Sequence, residues 1–514
     1  MKLLLTSFCL LISSLACAQG YRNPVIPGFY PDPSVCRVGN DYYLVNSTFE
    51  YFPGVPIFHS KDLVNWQQIG HCLTRKSQLP LDNCGVSSGI YAPSIRYHNG
   101  VFYMVTTNLN GVGNFYVTAT DPTSEWSDPI QVRQGGIDPD IIFDDNKTYF
   151  VTQGQQIRLS EIDIKTGKLL TEPRAIWPGT GGRYPEAPHI YKKDGYYYLM
   201  IAEGGTEYGH KVTIARSRNI WGPYESTPAN PILTHINQNA QNNPIQGTGH
   251  ADLIEAQDGS WWMVHLGFRP QSGSHHVLGR ETFLTPVKWD KNAWPVVNGN
   301  GTTSIDMNCP TLPLHPFAEP SALTTFDTTT LPLEWTFLRN PDSLNYCLNS
   351  KRKGILRLKG SDHSLNDLAS PTFLGRRQQH INFTATAAID GYNLKKNGRG
   401  GITVFMTNTS HYDLYLTPDK HIELHCRLGN IDYTVRRLPF SGKKICLRVE
   451  GSAHFYHFSY STDNITYTPL GDLDTRYLSS ESVGNFTGVF ISLFAEGQGS
   501  TIDYRSFEYS ENKK

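Results

Sequence analysis

Between residues 31 and 267 the chain repeats one pattern five times: an opening motif, an apolar run, a Gly/Asn/Asp turn and an aromatic-rich run. The segments are PDPSVCRVGNDYYLVNST, YAPSIRYHNGVFYMVTTN, IDPDIIFDDNKTYFVTQG, PEAPHIYKKDGYYYLMIAEG and GHADLIEAQDGSWWMVHLG. Each reads as a β-hairpin, with turn residues between two strand-forming runs. A third run with its own turn chemistry follows each, as in VPIFHSKDLVNW, NFYVTATDPTSEW, IRLSEIDIKTGKL, KVTIARSRNIWGPY and VLGRETFLTPVKWD. One such unit cannot bury both faces of its sheet, whereas five stacked around an axis can. The repeat therefore predicts an all-β chain whose residues 23–297 form a five-bladed β-propeller. A periodic β-sandwich is the alternative the same strands allow.

The opening motifs can be aligned on their prolines. Asp32, Ala92, Asp138 and Ala187 occupy one step, His250 takes the matching place in the fifth unit, and Glu186 sits one residue ahead of Ala187. Pro31 and Pro33 stiffen the chain around Asp32, and a following proline pushes the preceding residue toward extended geometry. The first strand of every propeller blade lines the central channel. Asp32, Asp138, Glu186 and His250 are therefore expected to meet at one mouth of it. The plainer reading is that these acids cap strand ends and bind water. Like charges gathered in a partly buried site cannot all ionise, so one carboxyl holds a proton while another stays ionised. That pairing is the one glycoside hydrolysis uses. Calcium is the rival use of clustered acids, but it needs six to eight oxygens, usually from closely spaced loop ligands. Asp144-Asp145-Asn146 reads as turn chemistry.

The motifs GFYPDPS, STFEYFPGVPIFHSKDLVNW, GGIDPD, YPEAPHIYKKDGYYYL, GTGHADL and LGRET together resemble glycoside hydrolase family 43, which contains β-xylosidases, α-L-arabinofuranosidases and arabinanases. The resemblance implies a five-bladed propeller and carries roles onto this chain. Asp32 matches the general base that activates water, and Glu186 the general acid. Asp138 matches the third acid, which orients Glu186 and tunes its pKa; the proline register favours it over Asp140. His250 and Arg280 match polar residues deep in the sugar pocket, while Phe49, Tyr91 and Thr206 fall on its wall. Family xylosidases often carry Trp in place of Tyr91 and Asn in place of Tyr30, so the sugar preference stays open. The family inverts configuration, which implies carboxyl groups roughly 6.5–9.5 Å apart with a water between base and sugar. The resemblance requires no cofactor and leaves room for a calcium ion near His250.

Lys and Arg number 45 and Asp and Glu 46, so no basic field exists for nucleic acid. Lys2, the apolar run Leu3 to Leu15 and Ala16-Cys17-Ala18 read as a cleavable export signal over residues 1–18, with a lipoprotein anchored at Cys17 as the alternative. The expected location is periplasmic or extracellular. No later run is long enough for a membrane span. Seven cysteines remain after Cys9 and Cys17 leave with the signal, widely spaced and without a CxxC pair, which argues against a zinc site. They leave room for one or two disulfides in an oxidising compartment.

Residues 298–325 are rich in Gly, Thr and Pro and read as a linker. Over 326–514, runs such as GILRLKG, INFTATAAI, HYDLYLT and HFYHFSYS alternate apolar and polar residues, as a half-buried antiparallel sheet requires. A concanavalin-like β-sandwich is expected. The resemblance further implies that one of its loops closes the pocket, with Phe486 in NFTGVF as the candidate. The resulting expectation is an exo-acting, inverting hydrolase. It would release terminal β-D-xylose or α-L-arabinofuranose from oligosaccharide or polysaccharide fragments of plant hemicellulose or pectin. An endo-arabinanase and a non-catalytic glycan-binding propeller are the alternatives.

Overall fold

The computed structural model describes residues 20–239, 243–308, 311–349 and 352–513. The segment read as an export signal, residues 1–18, lies outside them. The repeats form five antiparallel sheets that begin at Ser34–Val38, Ser94–His98, Asp140–Asp144, Glu186–Lys193 and Gln246–Glu255. We call them blades I to V. Each continues into the aromatic-rich second strand and then a third, as the turn chemistry dictates. In blade I these are Asp41–Val45 and Gly54–Ser60.

Alternation along the strands sends apolar side chains to both faces, and each face meets the next blade. Blades I and II share Ile57, Ile95 and Met104. Blades II and III share Val105, Tyr116, Ile141 and Phe150. Blade III meets IV through Val151, Leu159, Leu199 and Ile201, and IV meets V through Met200, Ile214, Leu253 and Met263. Leu44, Trp262, Val264 and Leu284 close the ring between V and I. The amino-terminal segment secures this closure: the Asn23 side chain donates to Leu284 O at 2.9 Å and accepts from Leu284 N at 2.9 Å.

The innermost strands face a channel too polar to collapse, and a charged cluster fills it. Arg96 of blade II donates to Asp140 of blade III at 2.6 Å and to Asp252 of blade V at 2.8 Å. His189 of blade IV contacts Asp140 at 2.8 Å. Tyr191 of the same strand and Ser34 of blade I each donate to Asp252 at 2.7 Å. All five blades thus meet through one guanidinium and two buried carboxylates. Burial pushes Asp252 up, but Arg96 outweighs it and holds the carboxyl well below the usual range.

The second half is a sandwich of two eight-stranded sheets. Their strands contribute one large core that includes Leu356, Leu374, Phe383, Val404, Leu447, Ile491 and Phe507. The last strand of one sheet comes from the propeller: Tyr51–Phe52 pairs with Trp335–Leu338. The segment read as a linker lies against the propeller for part of its length, where Asp306–Asn308 pairs with Gly20–Arg22. Cys36, Cys72, Cys84, Cys347, Cys426 and Cys446 are free thiols.

Removing the central cation while leaving both carboxylates tests the cluster. Arg96→Met is expected to destabilise the protein by about 3–5 kcal/mol, because two buried acids then lack a counter-charge. Chemical denaturation read by tryptophan fluorescence measures it. A loss under about 1 kcal/mol would show the cluster to be solvated like a surface pair.

Candidate active site

At the opposite mouth of the channel the aligned opening motifs share a backbone conformation. Asp32, Asp138, Ala187 and His250 have φ of 54°, 53°, 53° and 43°, and Ala92 alone of the five lacks a positive value. This corrects the expectation that a following proline leaves Asp32 extended. The chain instead turns sharply at the head of the first strand, and the strand slips register beside it in blades IV and V. Such bulges re-aim side chains. Left-handed geometry at a non-glycine residue costs about 1–3 kcal/mol, so these positions are held by their surroundings.

The turns deliver Asp32, Asp138, Glu186 and His250 to one cavity of about 640 Å³. Phe49, Tyr91, Thr206, Arg280 and Phe486 line the same cavity, so all nine residues singled out in the sequence converge there. Asp140 does not: it is turned away to Arg96 and His189.

The carboxyls differ in their surroundings. Asp32 accepts from Arg280 at 2.8 Å and from Ser47 Oγ at 2.5 Å, with His250 Nδ1 at 3.5 Å. Burial pushes its pKa up, yet Arg280, His250 and Ser47 outweigh it and leave the group below the ordinary carboxylate range. Asp138 has one polar contact of this kind, the Ala187 N–H at 3.3 Å. Burial and the neighbouring Glu186 and Asp32 carboxylates push it well above that range. Glu186 is the most accessible of the three acids, with its side chain 17 % exposed and its Oε1 3.3 Å from His210 Nε2. Burial holds His250 down at about 4, so the imidazole is neutral at pH 7. One carboxyl is therefore held below the ordinary range while a neighbouring one is pushed above it.

Arg280 organises the wall. It donates to Thr206 Oγ1 at 3.0 Å, and its guanidinium lies 5.6 Å from the ring centres of both Phe49 and Phe486. Phe49 packs edge-on against Tyr91 at 5.2 Å. Phe486 reaches the cavity from the sandwich, on a loop after the short helix Ser480–Val483. That loop is pinned by a 2.6 Å contact between Glu481 and His276 of the propeller.

Several residues in or beside the cavity escaped the sequence reading. Tyr184, Glu207 and Tyr208 stand beside residues that were singled out, but adjacency alone carries no direction. Ser47 lies in an unremarkable polar stretch. His210 had a signal, since its ring fills the space a side chain at Gly249 would occupy, with Nδ1 2.3 Å from the ideal Cβ position. Gly249 of GTGH is thus required by His210, a histidine far upstream in the chain. Among the described residues no three His, Cys, Asp or Glu side chains gather as metal ligands. Asp32, the carboxylate nearest His250, is already held by Arg280.

Comparison with known proteins agrees with this arrangement. Residues 21–295 match the model for glycosyl hydrolases family 43, and residues 324–510 match that for the beta xylosidase C-terminal concanavalin A-like domain. A Bacteroides ovatus protein named non-reducing end alpha-L-arabinofuranosidase BoGH43B is 44% identical over 97% of this chain and 96% of its own. A Butyrivibrio fibrisolvens xylosidase/arabinosidase is 38% identical over 95% and 98%. The solved structure described as Bacteroides ovatus xyloglucan PUL GH43B superposes with a TM-score of 0.92 at 42% identity, covering 96% of this chain and all of that one. A propeller with three acids at one mouth, joined to this sandwich and matched along nearly its whole length, belongs to glycosyl hydrolase family 43.

Proposed function

We propose that this enzyme hydrolyses the terminal β-D-xylosyl or α-L-arabinofuranosyl residue of plant hemicellulose or pectin fragments, with inversion. The names of the similar proteins support the sugar class. The observation that carries the reaction is the opposite electrostatic treatment of two acids in one cavity. Asp32, held ionised by Arg280 and Ser47, has no proton to give and serves as the base that activates water. Glu186, the most accessible acid, protonates the leaving oxygen. Asp138, buried against it, sets the proton affinity of the pair and orients it. The acid and base act on opposite faces of the sugar, as an inverting displacement needs.

The Phe486 loop favours exo action, because it brings sandwich residues into the cavity wall where an internal chain would have to pass. An endo-arabinanase needs an open cleft. The segment Lys2 to Ala18 supports action outside the cytoplasm.

Nitrophenyl β-xyloside, nitrophenyl α-arabinofuranoside and linear arabinan separate the readings. Turnover of either glycoside with little release from internal arabinan bonds is expected, and proton NMR should show the inverted anomer first. The retained anomer would remove Asp32 from the role of base.

Glu186→Gln should lower kcat about 10²–10⁴-fold on natural oligosaccharides and far less on substrates with activated leaving groups, which need little protonation. An equal loss on both would assign Glu186 another task.

Asp138 and Glu186 share the pocket, and the last proton held between them leaves against the other carboxyl's negative charge; Asp138→Asn takes that charge away. A negative neighbour raises the pKa of a carboxyl, so its removal lowers the pKa of the acid. The basic limb of the pH–rate profile is therefore expected to move to lower pH, while the acid limb, set by Asp32, shifts little. An unmoved basic limb in a folded variant would exclude the tuning role.

A further inference from the structure

Phe486 is held by the propeller through both of its backbone groups. Its N–H donates to Ser87 Oγ at 2.8 Å, and its carbonyl accepts from Arg280 at 3.4 Å. Arg280 belongs to the site already described, but Ser87 does not line the cavity. It stands in the loop between blades I and II, with φ of 56°. Its own N–H donates to Glu50 Oε2 at 3.0 Å.

Glu50 is 2% exposed and follows Phe49 of the aromatic wall. Its carbonyl accepts from the backbone N–H of Arg339 in the sandwich at 2.8 Å. The buried Arg339 side chain in turn donates to Cys84 O at 2.6 Å, gripping the same loop from the other domain. Burial pushes Glu50 up to about 7 against the pull of Arg339 and the Ser87 N–H. A carboxyl in such a dry place is costly unless it holds donors, and Ser87 supplies one beside the residue's own backbone N–H.

We propose that Glu50 and Ser87 form a latch that holds the Phe486 loop of the sandwich down on the cavity, and that this latch helps the site select a chain-terminal sugar. They are positioning residues: Glu50 fixes Ser87, Ser87 fixes the Phe486 backbone, and the Phe486 ring closes the wall against Phe49, 6.0 Å away. The flanks of the loop are fixed separately, by Glu481 on His276 and by the Val489 N–H on Val277 O. The latch therefore acts on the loop tip. The selection of a terminal sugar rests on the cavity being the sugar site; the latch itself does not.

Ser87→Gly tests it, because glycine adopts φ near 56° freely and only the hydroxyl is lost. The variant should fold with an unchanged thermal midpoint. Backbone amides over residues 484–489 should exchange hydrogen faster, by about three- to tenfold, the worth of one hydrogen bond. KM for a nitrophenyl pentoside should rise by a similar factor, with kcat within about twofold. Ser87→Asn, which tolerates the same backbone and offers an acceptor, should recover part of the protection. Glu50→Ala should mimic the loss, and Glu50→Gln should not. Wild-type exchange and wild-type KM in Ser87→Gly would overturn the latch, as would failure of that variant to fold, which would make Ser87 part of the scaffold. Exchange needs no substrate. If the wild-type protein turned over no pentoside, the reading of the cavity would fail while exchange still decided the latch.

Discussion

The contact of Arg96 with two buried aspartates is the constraint on which the rest of the propeller turns. Each blade packs on its neighbours through apolar faces, and such packing tolerates small slides between sheets. A guanidinium is less forgiving, because its donors lie in a fixed plane. Asp140 and Asp252 must approach it from different blades, and Tyr191, His189 and Ser34 must complete their hydrogen bonding. The inner strands are thereby locked in height as well as in rotation. The mouth of the channel inherits that registry, so three acids from three blades face each other with no direct link along the chain.

At the mouth the same strands bear strain. Three non-glycine residues that precede proline have left-handed backbones, and a fourth joins them at His250. The apolar seams between blades and the charged plug beneath supply the stability that holds these turns. What the turns achieve is electrostatic sorting. Asp32 is aimed at a cation and a hydroxyl, and Asp138 at other acids and a single N–H. Two chemically identical side chains at equivalent places thus have their proton affinities pushed in opposite directions.

The five-fold repeat was readable because hairpin alternation and turn residues are local properties, printed in every unit. The convergence of Asp32, Asp138, Glu186 and His250 was readable because a propeller turns equivalent positions in sequence into neighbours in space. The left-handed turns were not, since the usual effect of proline on its predecessor points the other way and only tertiary packing overrides it. Ser47 and His210 went unseen because each acts through one contact whose geometry no spacing encodes. Glu50 and Ser87 were hidden for a related reason. Their partners lie on the other domain, hundreds of residues away, where no periodicity reaches.

The strand that Tyr51–Phe52 lends to the sandwich has a consequence for how the molecule is made. The amino-terminal blade holds this strand, but its partner lies at Trp335–Leu338, so the blade cannot be finished from its own residues. Phe29 and Tyr51 wait longer still, for Phe490, which meets Phe29 edge-on and stacks on Tyr51. Contacts across such separations form slowly, because the loop between them must close first. The cavity wall is complete only when residues from both ends of the chain have come together.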